Sequence, residues 1–143
     1  MNQLFKLQTI TIPMKITRLV VHCSDTPNDR DVTAEDIQRW HKERKWAGIG
    51  YHKVIRRDGT VENGRPEYWE GAHVKDYNSN SLGVCLIGRD EFTADQFDSL
   101  DRVLTRWKDK YPLAEICGHR DLDPHKSCPN FDVGEWWRKK RAL

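Results

Sequence analysis

Two histidines and one cysteine stand where the chain is expected to turn, and these residue types bind zinc. His22 ends the apolar run ITRLVVH, His119 ends LAEICGH, and Cys128 follows nine residues later in the polar loop GHRDLDPHKSCPNF. A catalytic zinc site uses three such ligands and leaves one position open. A lone strand-end histidine is more often a hydrogen-bonded structural residue, but the three donors together favour a metal site. Pro124 and Pro129 predict a turn that returns the cysteine towards His119.

Short strands and amphipathic helices must position these residues. Apolar runs predict buried strands at 16–22, 82–87 and 113–118, which we expect to form the middle of a sheet. The alternating segment YHKVIRRDGTVENG predicts a β-hairpin with its turn at Asp58-Gly59. Both histidines lie where a strand gives way to a loop, and such loops collect functional groups at one edge of the sheet.

Three capping pairs predict where helices begin. The pairs are Thr33 with Asp36, Thr93 with Gln96, and Asp132 with Glu135. Pro112 ends the second helix. The alternation of strands and helices predicts an α/β fold: a single domain with a central mixed β-sheet flanked by helices. We expect residues 1–13 to form an N-terminal arm of unknown role and residues 14–143 to form the domain.

Composition excludes some classes of protein. A net charge of +2 and a pI near 8.4 are too mild to predict nucleic-acid binding. No apolar run approaches the roughly 20 residues of a membrane span, and the N-terminus lacks the pattern of a signal peptide. Cys85 and Cys117 lie in apolar strand patterns, so we expect free thiols in a reducing compartment rather than two disulfides.

Four blocks of sequence resemble the type-2 N-acetylmuramoyl-L-alanine amidases. They are VVHCSDT, GYHKVIRRDGTVENGR, GAHVKDYNSNSLGVCLIG and GHRDLDPHKSCPNF, and they follow the family order between Ile16 and Trp137. The family includes phage endolysins and, more distantly, animal peptidoglycan recognition proteins. The resemblance implies the amidase/recognition-protein fold and one zinc ion per chain, bound by His22, His119 and Cys128.

The resemblance also implies roles for two further residues. Tyr51 in GYH and Lys126 in HKSCP match the catalytic tyrosine and lysine of the family. Lysine would stabilise the oxyanion, and tyrosine would orient water or relay a proton. His125 is a rival metal ligand that fits the family pattern less well. Asp121 is expected to orient His119 or to hold the loop rather than to bind metal.

Substrate contacts are predicted in the segment GAHVKDYNSNS. His73 is a candidate for contacts with peptide or lactyl oxygens, and Asn78 and Asn80 either do the same or set the turn. His52 follows Tyr51 in a strand and should face the other way, which indicates a structural role.

The resemblance implies that the chain hydrolyses the amide between the lactyl group and L-alanine in bacterial peptidoglycan, as a phage or prophage endolysin. We expect a monomer that stays in the host cytoplasm until lysis and then acts on the wall in the periplasm. The alternative is a protein of the same fold that binds peptidoglycan without cutting it, or that regulates a phage RNA polymerase. Cys128 favours the enzyme, because the non-hydrolytic relatives typically lack this cysteine.

Overall fold

The computed structural model describes residues 15–143, and the predicted arm at residues 1–13 lies outside them. The strands are β1 (Arg18–Cys23), β2 (Lys53–Ile55), β3 (Val61–Asn63), β4 (Ser81–Leu86) and β5 (Glu115–Gly118), and the helices are α1 (Ala34–Glu43), α2 (Ala94–Lys110), α3 (His119–Leu122) and α4 (Val133–Ala142). None of the helices within 15–143 combines the length and apolar character needed to cross a bilayer.

The five strands form one mixed sheet in the order β3-β2-β4-β1-β5. β1 is parallel to both β4 and β5, β2 is parallel to β4, and β2 and β3 form the antiparallel hairpin. The predicted α/β class with a central mixed sheet is therefore confirmed. One expectation was wrong: β5 is an edge strand, although the run 113–118 was predicted for the middle. Its apolar pattern is explained by β1 on one side and by helix α4, which packs against it.

The two faces of the sheet pack against different helices. Leu19 and Val21 of β1 lie in a core with Leu100, Leu104 and Trp107 of α2. On the opposite face, Ile37 of α1 packs in a second core with Val54, Cys85 and Ile87. Because side chains alternate along a strand, Val20 and His22 point away from the first core.

Local signals in the sequence explain the helix starts. Thr33 and Thr93 each accept a hydrogen bond from the backbone of a residue three positions later, and each capping box is complete. Asp132 caps α4 through the backbone N–H of Glu135. The predicted starts are therefore confirmed. Gly59 has φ of 89° at the hairpin turn, a backbone conformation that favours glycine.

The loop after β5 differs from the sequence-based expectation. It begins with the single helical turn α3, although residues 118–131 were predicted to be neither helix nor strand. The Asp121 carboxylate accepts a 2.8 Å hydrogen bond from the Gly118 N–H, and the Asp123 N–H donates to the His119 carbonyl. These two bonds stabilise the turn, and they start it at His119.

Candidate metal centre

The parallel pairing of β1 with β5 brings the two predicted histidine ligands together. The register aligns Val21 with Gly118, so the next residues along the two parallel segments, His22 within β1 and His119 at the start of α3, lie beside each other. The ring centroids of the two histidines are 4.7 Å apart. Residues almost a hundred positions apart in sequence thus become neighbours through one strand pairing.

The loop after α3 folds back and adds the third predicted ligand. The Arg120 N–H donates to the Cys128 carbonyl at 2.8 Å, which closes the loop onto α3. The Cys128 Sγ accepts a hydrogen bond from the Cys23 backbone N–H at 2.9 Å. The sulfur is therefore held beside the end of β1, next to His22.

The ligand atoms of His22, His119 and Cys128 all lie within 4.8 Å of one another. Tetrahedral Zn–N and Zn–S bonds of about 2.0–2.3 Å place ligand atoms roughly 3.3–3.7 Å apart, so the three donors would draw closer together around a bound ion. Two imidazoles and one thiolate suit zinc, and three protein ligands leave a fourth position for water or substrate. The chemistry of the donor set therefore fits the metal that the sequence predicted.

Burial keeps both histidines in the form that binds metal. It lowers the pKa of His22 well below its ordinary value, and nearby His73 and His119 lower it further. Burial also lowers the pKa of His119, where Asp123 acts in the opposite direction and the Lys126 ammonium in the same one. Neutral imidazoles have a free lone pair for coordination, so both rings are ready to bind a cation at neutral pH.

The Cys128 thiol needs a cation to ionise. Its interaction with the Cys23 thiol and its burial both raise the pKa of Cys128. A bound metal ion reverses this, because a coordinating thiol is deprotonated outright. All four cysteines are free thiols, as the sequence predicted. Cys85 and Cys117 are buried in apolar cores and are not part of the candidate ligand trio.

A cleft of about 460 Å³ opens over the three candidate ligands. Tyr51 and Lys126, the two residues matched to catalytic positions, both line it. The ring of Tyr51 lies 5.0 Å from that of His22, centroid to centroid. Burial, followed by the neighbouring cysteine sulfurs, raises the pKa of Tyr51. The phenol therefore stays protonated at neutral pH, which makes it a hydrogen-bond donor rather than a base.

The neighbours of these residues have structural contacts. His125 lines the cleft but is exposed, lies outside the ligand trio and donates its backbone N–H to Asp123. Asp121 holds the loop through Gly118, one of the two roles expected for it. The His52 ring accepts from the Gly83 N–H and is 2.9 Å from the Trp69 carbonyl, consistent with a structural role.

The three predicted substrate contacts have different surroundings. His73 borders the cleft but is 92% buried, and both ring nitrogens contact other side chains, His22 and Ser81. The Asn78 side-chain oxygen accepts from the backbone N–H groups of His73 and Val74, so the geometry favours the turn-setting alternative.

Asn80 differs from Asn78. Its Oδ1 is buried and, within residues 15–143, has no hydrogen-bond partner. Both asparagines lie in a short 3-10 turn, Asn78–Asn80, and neither is among the described residues that line the cleft. Their expected contact with substrate is therefore not supported by their position.

One wall of the cleft was not predicted. Trp40 and His41 of α1, Arg44 directly after the helix, and the loop residue Trp46 also line the cleft. The His41 Nδ1 accepts a hydrogen bond from the Gly50 N–H, and burial, followed by Arg44, lowers its pKa to about 4. The aromatic and cationic residues Trp40, His41 and Arg44 cluster at the C-terminal end of α1, and this cluster in the sequence could have indicated a binding surface.

Comparisons with known sequences agree with this geometry. Residues 12–131 match the N-acetylmuramoyl-L-alanine amidase family. The endolysin of Klebsiella phage KP32 is 44% identical over 135 residues, which cover 89% of this chain and 89% of the endolysin. The endolysin of Escherichia phage T7 is 43% identical over 133 residues, 87% of each chain.

Solved structures are similar across most of the chain. The endolysin N-acetylmuramoyl-L-alanine amidase LysCS from Clostridium intestinale superposes with a TM-score of 0.81 at 30% identity, covering 91% of this chain and 86% of that one. Drosophila PGRP-LB in complex with tracheal cytotoxin gives a TM-score of 0.75 at 26% identity, covering 85% and 79%.

Proposed function

The chain belongs to the N-acetylmuramoyl-L-alanine amidase family, and on that premise we propose that it is a zinc-dependent phage endolysin. Its reaction is hydrolysis of the amide that joins the lactyl group of N-acetylmuramic acid to L-alanine in peptidoglycan. The observation that carries the zinc dependence is the convergence of His22, His119 and Cys128 within 4.8 Å at the floor of the cleft. We assign the catalytic domain to residues 14–143.

Hydrolysis of an amide requires activation of the carbonyl carbon and protonation of the departing nitrogen. The chemistry that zinc supplies when bound is Lewis acidity, which polarises a carbonyl and lowers the pKa of water to about 7. His22, His119 and Cys128 would hold the ion, and all three line the cleft that a substrate carbonyl would enter.

Lys126 would stabilise negative charge on the amide oxygen. It lies two residues before Cys128, lines the cleft and is close enough to His119 to lower that residue's pKa. A cation at this place interacts more strongly with the developing oxyanion than with the neutral amide, so it accelerates the chemical step.

Tyr51 supplies a hydroxyl on another side of the same space. Because its raised pKa keeps it protonated, it acts as a donor that orients the attacking water or passes a proton to the departing amine. Its ring packs against His22 and His41, which limits its movement. These contacts support a fixed direction for the hydroxyl.

The decisive experiment is digestion of purified peptidoglycan with metal analysis of wild type and Cys128→Ser. We expect about one zinc per wild-type chain and release of stem peptides with a new L-alanine amine. Cys128→Ser should lose the metal and the activity together. Cys117→Ala is the matched control, since Cys117 is a buried thiol outside the trio, and it should keep both.

Two results would contradict the proposal. Cleavage of glycan strands instead of the lactyl amide would remove the amidase assignment. Full activity after exhaustive chelation would remove the zinc dependence. Because the two readouts are separate, either half of the proposal can fail without the other.

The cellular setting is part of the same proposal. An endolysin accumulates in the host cytoplasm and reaches the wall in the periplasm when lysis begins, and fractionation of infected cells before and after lysis tests this order. The alternative roles, binding of peptidoglycan or of a phage RNA polymerase, are tested by pull-down with Cys128→Ser. Binding retained by this inactive variant would establish a role independent of hydrolysis.

A further inference from the structure

His73 contacts His22 through a ring nitrogen of each residue. The Nδ1 of His73 is 2.8 Å from the Nε2 of His22, and the two rings are nearly perpendicular at 84°. The Nε2 of His73 is 3.1 Å from the Ser81 hydroxyl oxygen. A ring nitrogen of His22 is thus linked through His73 to the first residue of β4.

The contact between Ser81 and the Tyr77 carbonyl fixes the donor and acceptor in the other two hydrogen bonds. The Ser81 Oγ is 2.7 Å from the Tyr77 carbonyl oxygen, which only accepts, so the single hydroxyl proton is donated there. The His73 Nε2–H therefore donates to the Ser81 oxygen. A neutral imidazole carries one N–H, so the His73 Nδ1 is an acceptor and the His22 Nε2 must donate to it.

The contacts of the His73 ring place its proton on Nε2, because Nε2 faces the Ser81 oxygen and Nδ1 faces the nitrogen of His22. The remaining nitrogen of His22, Nδ1, is left with a free lone pair and with no hydrogen-bond partner among the described side chains.

We propose that His73 and Ser81 form a positioning relay that fixes the tautomer and orientation of His22, so that His22 binds the metal through Nδ1. This inference rests on the proposed zinc dependence. A metal-bound histidine commonly donates its other N–H to an acceptor that holds the ring, and such partners affect metal affinity although they never touch the ion. His73 is therefore a positioning residue rather than a catalytic residue.

The backbone around His73 leaves space for this ring and for little else. A Cβ atom on Gly83 would lie 2.6 Å from the His73 Nδ1, and one on Gly71 would lie 2.7 Å from its Cδ2. The backbone N–H of His73 donates to the Asn78 side chain at 2.8 Å. Two glycines from separate segments and one asparagine thus hold His73 in the position that His22 requires.

This relay revises the role expected for His73 from sequence. A residue that contacts substrate oxygens needs a free donor, whereas both nitrogens of His73 are already engaged. Ser81 had no predicted role, yet without its hydroxyl the proton on His73 has no preferred position. The relay also connects β4 to β1, the two central strands of the sheet.

The experiment compares zinc affinity in full-length variants by competition with a chromophoric chelator. His73→Leu removes the acceptor, and we expect it to weaken zinc binding about 10- to 100-fold. His73→Asn should recover much of this loss, because its amide oxygen occupies nearly the place of Nδ1. Ser81→Ala should weaken binding by a smaller factor, since His73 remains but its proton is no longer directed.

His52→Leu is the matched control. His52 is a buried histidine with two hydrogen bonds, to Gly83 and to Trp69. Its ring lies beside His73, but neither of its nitrogens takes part in the relay. It should leave the zinc affinity of the folded protein unchanged. Thermal unfolding identifies any variant that does not fold. If His73→Leu does not fold, Ser81→Ala, the smallest change, still tests the relay.

A spectroscopic readout tests the tautomer directly. Long-range ¹H–¹⁵N spectra of the zinc-loaded wild type should show the His22 proton on Nε2 and the metal on Nδ1. The inference is overturned if zinc is bound to Nε2, or if folded His73→Leu and Ser81→Ala bind zinc as tightly as wild type. A wild type that binds no zinc overturns the proposed function first, and the relay with it.

Discussion

The two faces of strand β1 show how one element serves stability and chemistry at once. Leu19 and Val21 point into an apolar core that Trp107 and its neighbours in α2 close completely. Val20 and His22, one residue out of phase, point to the other face, where histidines, thiols and a cleft replace the aliphatic packing. Neighbouring residues of β1 thus have different surroundings: an apolar core on one face, and polar side chains and the cleft on the other.

The difference is instructive because both faces are buried. His22 is only 1% exposed, comparable with Val21. Burying a polar ring costs free energy unless its hydrogen bonds are made; the bond to His73 satisfies one nitrogen of His22, and the other is left for the metal. Substitutions on the first face should therefore alter stability alone, whereas those on the second should alter zinc binding or catalysis.

The largest stability effect is expected from Trp107→Ala on the apolar face. Trp107 is 2% exposed. Truncation of a buried aromatic side chain to alanine typically lowers the free energy of unfolding by about 3–5 kcal/mol, because apolar contacts are lost and a cavity remains. Urea unfolding at fixed zinc concentration measures this loss. Activity per folded molecule and zinc stoichiometry should stay at the wild-type level, and a loss of zinc from the folded variant would break the separation of the two faces.

Lys126→Ala should have the converse effect on the cleft side. Loss of a donor to the oxyanion costs about 2.7–4 kcal/mol in the transition state, equivalent to roughly 10²–10³ in kcat. Unfolding should be unchanged, because Lys126 is an exposed loop residue. Steady-state hydrolysis of a muramyl peptide measures the effect, and Lys126→Arg, which keeps the charge, should retain part of the rate. A rise in KM at constant kcat would indicate substrate binding instead.

Acid should destabilise the metal-free protein through the cleft-side histidines. The pKa of His41 is lowered to about 4 and that of His73 to about 3, against 6.5 in the unfolded chain. The unfolded state therefore takes up protons first as the pH falls. Stability is fully present above pH 6.5 and decreases as the pH falls, down to about pH 4 for His41 and about pH 3 for His73, by up to roughly 1.4 kcal/mol per pH unit for each histidine.

Urea titrations at several pH values measure this slope. His41→Gln should reduce it, because one group that titrates differently in the two states is removed. Trp107→Ala should lower the whole curve but leave its slope intact, since the apolar face contributes no such group. Equal slopes for His41→Gln and wild type would contradict the assignment to the cleft side.

The smallest effect is expected from His125→Ala. His125 lies beside Lys126 and lines the same cleft, but it is exposed and outside the ligand trio. Surface substitutions away from specific contacts usually change free energies by less than about 0.5 kcal/mol. Zinc affinity and kcat should therefore change by about twofold at most. A loss of zinc comparable with that of Cys128→Ser would make His125 a ligand and remove the proposed trio.

Much of the fold follows from local signals in the sequence. The capping pairs, the Asp58-Gly59 turn and the alternating apolar runs act over a few residues, so they specify helices and a hairpin without knowledge of the rest. Strand position in the sheet depends on distant pairing and packing. Helix α4 packs against β5, and the composition of the run 113–118 could not distinguish an edge strand from a central one.

The candidate site divides in the same way. His22, His119 and Cys128 were predicted because their residue types and strand-end positions are visible in the sequence. The roles of Asn78 and His73 were not predictable from type alone. An asparagine in a turn and a histidine near a cleft are each compatible with substrate contact, and only the hydrogen bonds they make show where their polar atoms are engaged.

The sequence by itself determined the element order, the donor types and their positions at strand ends, because propensity, capping and periodicity are local properties. The tertiary structure alone decided which donors meet, since the register of β1 with β5 sets His22 beside His119 and the returning loop adds Cys128. It also decided which nitrogen of His22 is free. That choice depends on a hydrogen bond to His73, fifty-one residues away, and no local pattern encodes it.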